Sequence, residues 1–257
     1  MKVIAIANQK GGVGKTTTSD MLATGLKYCG YNVLVVDLDP QCNTTSSYGA
    51  VIDGENTLYD LMNGKCSTKD AIQTTEIGDI IAGDPHLVED AYKFQSKIGG
   101  FNIVKNALKE VQDDYDFCII DTPPGLGIFM YNALCAADGV VIPIKAEKYA
   151  VDGLNLMIGT INDVVQSVNP KLKIYGVLLV AYDTRTNLDN QVWATLPEIG
   201  KESGFNVFKN PIRICQEIKN SQAYRQDLFV KNPTCNGTVD YVALIKEILE
   251  MIEEEEK

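Results

Sequence analysis

The chain has 257 residues, 45% of them hydrophobic and 22% charged, the balance of a water-soluble globular protein with a sizeable core. Its formal net charge of −11 argues against nucleic-acid binding through bulk positive charge, and no apolar run reaches the roughly 18 residues a membrane helix needs. Seven cysteines, odd in number and without a CxxC pair, read as scattered reduced thiols of a cytosolic protein.

KVIAIAN (2–8) reads as a buried strand; it turns polar too soon for a secretory signal. The glycine loop NQKGGVGKTTT (8–18) follows, then a helix to about Cys29. NVLVVDLD (32–39) reads as a second strand, with GDIIAG (78–83), DFCIID (116–121), GVVIPI (139–144) and IYGVLLVAY (174–182) as further candidates. Helical patterns occupy 97–112, 150–168, 187–202 and 237–253, and the closing MIEEEEK reads as a frayed, solvated acidic tail from about residue 252. β-branched runs separated by helix-length segments predict an α/β fold: a doubly wound, mostly parallel sheet with helices on both faces, in one domain over 1–257.

Three motifs fall at predicted carboxyl ends of strands, where such sheets bind ligands. In the first, Gly11, Gly12 and Gly14 let the backbone curl around an anion, with Val13 between them. The helix beginning near Lys15 adds its positive end, Lys15 a point charge for β- and γ-phosphates, and Thr16 a hydroxyl for Mg²⁺. FCIIDTPPG delivers Asp121 to a strand end, where its carboxylate can hold Mg²⁺ through water. VVDLDPQ brings Asp37 and Asp39; if the strand continues, both project to one side, one for the metal's water shell and one for the attacking water. The loop also departs from GxxxxGK[ST], with Gln9 for the first glycine and a second lysine, Lys10.

KGGVGKTT, DLDPQ and IDTPPGLG…NALCAADGVVIPIKAEKYAVDGL together resemble the ParA/Soj ATPases, in the deviant-Walker-A (MinD/ParA) class of P-loop proteins. The resemblance runs from residue 2 to about 250 and includes LLVAYDTRTNL. It implies an ATPase that uses ATP and Mg²⁺, dimerises on ATP binding, holds DNA without sequence preference, and is released when a ParB-like centromere-binding partner stimulates slow hydrolysis. Lys10 matches the lysine that crosses a sandwich-dimer interface to the partner's ATP; Lys15 matches the phosphate lysine in cis, and Gly12 the close dimer contact. Asp39 is implied to position the hydrolytic water, Thr16, Asp37 and Asp121 to serve Mg²⁺, and Thr17 to reach the α-phosphate. Pro211 to Ile214 matches the adenine-side loop, although the family's Pro-Arg-Asn is Ile212-Arg213-Ile214 here. The glutamate-alanine stretch that follows is altered too, to CQEIKNSQAYRQDLF.

Arg185 and Arg213 match DNA-binding arginines of the family, with Lys209, Lys219 and Arg225 nearby. With the acidic net charge they imply weak, strongly salt-sensitive binding and a cytoplasmic, nucleoid-associated protein. Three alternatives stand beside plasmid or chromosome partitioning. Another cargo would need the same core. A MinD-like membrane switch needs a basic amphipathic C-terminal helix, which IKEILEMIEEEEK does not supply. An Fe–S carrier needs cysteines converging at an interface, and Cys118 lies in an apolar strand. His86 reads as a loop residue and Trp193 as packing.

Overall fold

The computed structural model describes residues 1–147 and 150–255. Lys148 and Tyr149 of the IKAEKYAVDGL motif, and the last two residues of the acidic tail, lie outside the described residues. β1 (Lys2–Ile6) leads into the glycine loop, and α1 (Lys15–Tyr28) leaves it. β2 (Val33–Asp37), α2 (Asn43–Tyr48), α3 (Leu58–Asn63), α4 (Thr68–Ala71), β3 (Ile72–Thr74) and β4 (Asp79–Ile81) follow. Next come α5 (Leu87–Ser96), α6 (Ile103–Leu108), β5 (Phe117–Asp121), α7 (Ile128–Ala136), β6 (Gly139–Ile144) and α8 (Ala150–Ser167). The chain finishes with β7 (Lys173–Tyr182), α9 (Asn187–Ser203), β8 (Ile212–Arg213), α10 (Gln216–Ala223), α11 (Leu228–Lys231) and α12 (Asn236–Glu255).

The strands form one sheet in the order β3-β4-β2-β5-β1-β6-β7-β8, parallel except for the β3–β4 edge pair. Side chains alternate across it. Ala5, Val36 and Ile120 enter one core with Met130 and Leu134 of α7 and Met157 of α8. Ile4, Ile6, Val35 and Ile119 enter the other with Leu22 and Leu26 of α1 and Ile245 and Ile248 of α12. Both faces are therefore dry, which is why these strands are near-continuous apolar runs. Each fully buried Leu or Ile contributes about 1.5–3 kcal/mol. The sheet's centre also sets the site: Asp37 and Ile6 both lie opposite Asp121 in register, so β2, β5 and β1 end together. Cys118 is fully buried in β5, as its apolar context predicts.

Two expectations are corrected. The helical pattern over 97–112 is not one helix: Gly99 takes φ 77°, and α6 is flanked by 3-10 turns at Gly100–Asn102 and Lys109–Val111. A Cβ at Gly100 would collide with the Phe94 carbonyl oxygen, so the chain turns sharply there after α5, a helix the sequence reading did not place. The acidic tail is not frayed over 252–255. α12 runs through Glu255, Ile252 is buried, and Glu255 pairs with Lys2 at 3.5 Å and Lys173 at 3.1 Å. Among the described residues, no helix is long and apolar enough to cross a membrane.

Gly139 opens β6 under the ring of Tyr175, which a Cβ would overlap. Gly139→Ala is expected to destabilise the fold by about 1–3 kcal/mol, read by urea denaturation.

Candidate active site

The glycine loop is fastened before it curls. Buried Asn8 accepts the Lys10 N–H at 2.9 Å through its side-chain oxygen and donates to the Pro143 carbonyl at 2.8 Å, tying the loop to β6. The Gln9 carbonyl accepts the Gly125 N–H at 2.8 Å, and the Gln9 amide donates to Thr160 Oγ1 at 3.3 Å. Gly12 and Gly14 then take φ 72° and 85°, left-handed values that glycine adopts without steric cost. Nothing lies within 4 Å of a Cβ built at Gly12, so its conformation, and no crowding within the chain, calls for glycine there. Lys15 Nζ folds back to donate to the Lys10 carbonyl at 2.8 Å. Burial lowers the Lys15 pKa from the ordinary lysine value, and the charges of Asp121 and Asp39 oppose that shift.

Asp121 is fully buried at the end of β5. One of its oxygens accepts Thr16 Oγ1 and Thr44 Oγ1, each at 2.8 Å; the other accepts Ser19 Oγ at 2.9 Å. Asp37 ends β2 beside it. Asp37 accepts the Thr45 N–H at 2.8 Å and Thr45 Oγ1 at 2.7 Å on one oxygen, and the Asp39 N–H at 3.1 Å on the other. Burial, and then the charge of Asp121, pushes the Asp37 carboxyl up to about 7. Burial also raises Asp121, against the three hydroxyls that favour its carboxylate. β2 ends at Asp37, so the strand does not continue to Asp39 as the sequence reading supposed. The chain turns, Asp39 accepts the Gln41 N–H at 3.0 Å, and Asp39 faces the cleft while Asp37 stays beneath it.

That cleft, of about 540 Å³, is lined by Gly11, Gly12, Gly14, Lys15, Thr16, Thr17 and Asp39 on one side. Ile212, Arg213 and Ile214 line the other. Lys10, Val13, Pro211, Asp37, Asp121 and Arg185 do not line it. The Lys10 stem lies over α8, where a Cβ at Gly153 would sit 2.9 Å from its Cε. Arg213 is clamped by Asp240 of α12, with Nη2 to Oδ1 at 2.6 Å and Nε to Oδ2 at 3.0 Å. It is a wall of the cleft, and its charge is already matched. Arg185 is outward and exposed, yet it too holds a carboxylate, Asp183, at 2.7 Å.

Sequence reasoning missed the layer of hydroxyls, Ser19, Thr44 and Thr45, that seats the two carboxylates; its traces are TTTSD in α1 for Ser19 and NTTSS, one residue after DLDPQ, for Thr44 and Thr45. It also missed Lys145, Gln41 and Asn43 on the cleft wall. Gln222 of α10 was missed as well; it accepts Thr17 Oγ1 at 3.4 Å and donates to buried Asp20 at 2.7 Å. Two buried carboxyls in register, each raised by burial and one further by its neighbour, with hydroxyl oxygens around them, form a hard oxygen set that fits a divalent cation such as Mg²⁺.

Asp37 is protonated more readily in the folded chain, near pH 7, than in the unfolded one, near about 3.9. Its contribution to stability is therefore complete below about pH 4 and lost as pH rises through about 7. Without nucleotide or divalent metal, stability is expected to fall by a few kcal/mol between about pH 4 and 7, and Asp37→Asn to flatten that fall in thermal melts.

An AAA domain family, AAA_31, matches residues 1–174. The sporulation initiation inhibitor protein Soj of Bacillus subtilis is 38% identical over 250 residues, 96% of this chain and 98% of that protein. The chromosome partitioning protein ParA of Caulobacter vibrioides is 34% identical over 254 residues, 97% of this chain and 94% of its own. A solved structure of a cobyrinic acid a,c-diamide synthase from Mycobacterium smegmatis, with bound ADP and magnesium, is 30% identical with a TM-score of 0.85, covering 98% of this chain and 96% of that one. Matches of this extent, on a chain whose glycine loop lines the cleft with paired carboxylates beneath it, place the chain in the ParA/Soj family of partition ATPases.

Proposed function

We propose that the chain is an ATP-driven dimerising switch for plasmid or chromosome partitioning. The observation that carries this is the meeting of Lys15, Thr16 and Asp39 on one cleft wall, directly above Asp121 and Asp37. Gly11 to Gly14 present their N–H groups to the triphosphate, Lys15 exchanges the Lys10 carbonyl for phosphate oxygens, and Thr17 meets the α-phosphate. Thr16, Asp37 and Asp121 would hold Mg²⁺, which would supply positive charge against that developing on the phosphates. Asp39, at the cleft surface, orients the attacking water. Ile212 and Ile214 flank the adenine, with Pro211 shaping the turn behind them.

Dimerisation follows from Lys10. To act on a partner's nucleotide its side chain leaves its place beside Gly153 and crosses at Gly12, where the loop is open for a second copy to approach. A cation arriving there stabilises charge in trans as an arginine finger does. The ATP-bound dimer then holds DNA non-specifically, and a ParB-like protein ends that state by stimulating hydrolysis. Arg185 is the principal DNA contact; Arg213 contributes less because Asp240 holds it. Both pairs must be loosened by phosphate, which keeps the binding weak and salt-sensitive.

Lys15→Ala is expected to weaken nucleotide binding at least about a hundredfold, measured with a fluorescent ATP analogue. Asp39→Ala is expected to bind ATP normally while kcat falls by about 10²–10⁴. Normal hydrolysis by Asp39→Ala would remove its assigned role. DNA binding by wild type is expected only with ATP–Mg²⁺, falling steeply with salt and lost in Arg185→Glu; equal binding in every nucleotide state would contradict the switch.

A further inference from the structure

Cys215 and Cys235 approach Sγ to Sγ at 3.9 Å, although 20 residues separate them in sequence. Each stands immediately before a helix, Cys215 before α10 and Cys235 before α12, so the two helix starts meet at the sulfurs. The backbone N–H groups of Ile218 and Gly237, one from each helix, favour the Cys215 thiolate. Gly237 makes the junction possible: a Cβ there would sit 3.0 Å from Cys215 Sγ and 2.7 Å from Ile218. Cys215 donates to Glu217 Oε2 at 3.0 Å, and Cys235 lies 3.3 Å from Thr238 Oγ1. Both thiols are half-buried, and Cys235 is flanked by exposed residues. Cys215 also lines the cleft, between Ile214 and Gln216.

We propose that Cys215 and Cys235 are a redox-active dithiol, closed to an intramolecular disulfide by exchange with a low-molecular-weight disulfide, which ties α10 to α12 at the wall of the cleft. The Cys235 thiolate attacks one sulfur of the small disulfide, whose S–S bond breaks and releases one small thiolate. Cys215 then gives up its proton and attacks the Cys235 sulfur, releasing the second small thiolate; the two thiolates take up the two protons. Two protein thiols are oxidised by two electrons, and the small disulfide is reduced to two thiols. Rotation of both side chains brings the sulfurs from 3.9 Å to a bond of about 2.05 Å and breaks the Cys215–Glu217 contact. Burial and Glu217 push the Cys215 thiol up to about 11, so the closing step quickens as pH rises. Drawing Cys215 toward α12 shifts the neighbouring Ile214 and Gln216 of the cleft wall, so the disulfide weakens nucleotide binding; this second part rests on the nucleotide reading above.

The test incubates the full chain with oxidised or reduced glutathione at pH 8, then denatures, alkylates and weighs it. The oxidised chain is expected to lose two of its seven alkylatable thiols, so that after alkylation it is lighter than the reduced chain by two alkyl groups, and to yield a Cys215–Cys235 cross-linked peptide. Cys215→Ser and Cys235→Ser each abolish the cross-link, whereas Cys29→Ser, at an exposed thiol, leaves it intact. Persistent alkylation of Cys215 and Cys235 while Cys29 takes up glutathione would overturn the proposal. Binding of a fluorescent ATP analogue is expected to weaken at least about threefold on oxidation of wild type and to stay constant in Cys235→Ser. A disulfide that forms without that change would overturn the coupling. Failure of the reduced protein to bind nucleotide would sink the nucleotide reading alone, because the disulfide is read by mass.

Discussion

Two carboxyl groups buried side by side at the ends of β2 and β5 are the constraint around which the rest of the site is arranged. Asp37 and Asp121 lie in register at the centre of a sheet covered on both faces. Placing two negative charges there is costly, which is why both are raised above the ordinary carboxylate range. The chain meets that cost with a layer of hydroxyl and backbone donors from α1 and α2. The same layer holds Thr16 at the mouth of the site. A divalent cation held by this pair would take the place of the proton that burial favours, so metal and phosphate would enter one charge balance.

The mobile charges are arranged on the same logic. Lys15 rests on the Lys10 carbonyl, and the Lys10 stem rests on Gly153, so each lysine has a place within the chain. The net charge of −11 also overstates how acidic the surface is. It counts Asp20, Asp37 and Asp121, three buried carboxyls that burial pushes toward the neutral form. The surface is less acidic than composition alone implies, though Arg185 and Arg213 are both already paired.

The central part of this site was legible because its requirements are local. Left-handed glycines, a lysine at a helix start and acids closing apolar runs leave their pattern within a few residues. What was not legible depends on distant partners. Asp240, which clamps Arg213, lies 27 residues away, and Lys2, which docks the tail at Glu255, lies 253 away. The turn at Gly99 was marked only by the Gly99-Gly100 pair, which the helical pattern read from residue 97 overrode. The two-residue β8 and the antiparallel edge strand β3 carry too few residues for a period to show.

The most direct test of the switch is the mass of the protein in solution, by sedimentation velocity, with no nucleotide, with ADP–Mg²⁺ and with ATP–Mg²⁺. The 28.2 kDa chain is expected to sediment as a monomer in the first two states and at twice that mass with ATP–Mg²⁺, with Lys10→Ala remaining monomeric throughout. A monomer in every state, or a dimer indifferent to nucleotide and to Lys10, would contradict it.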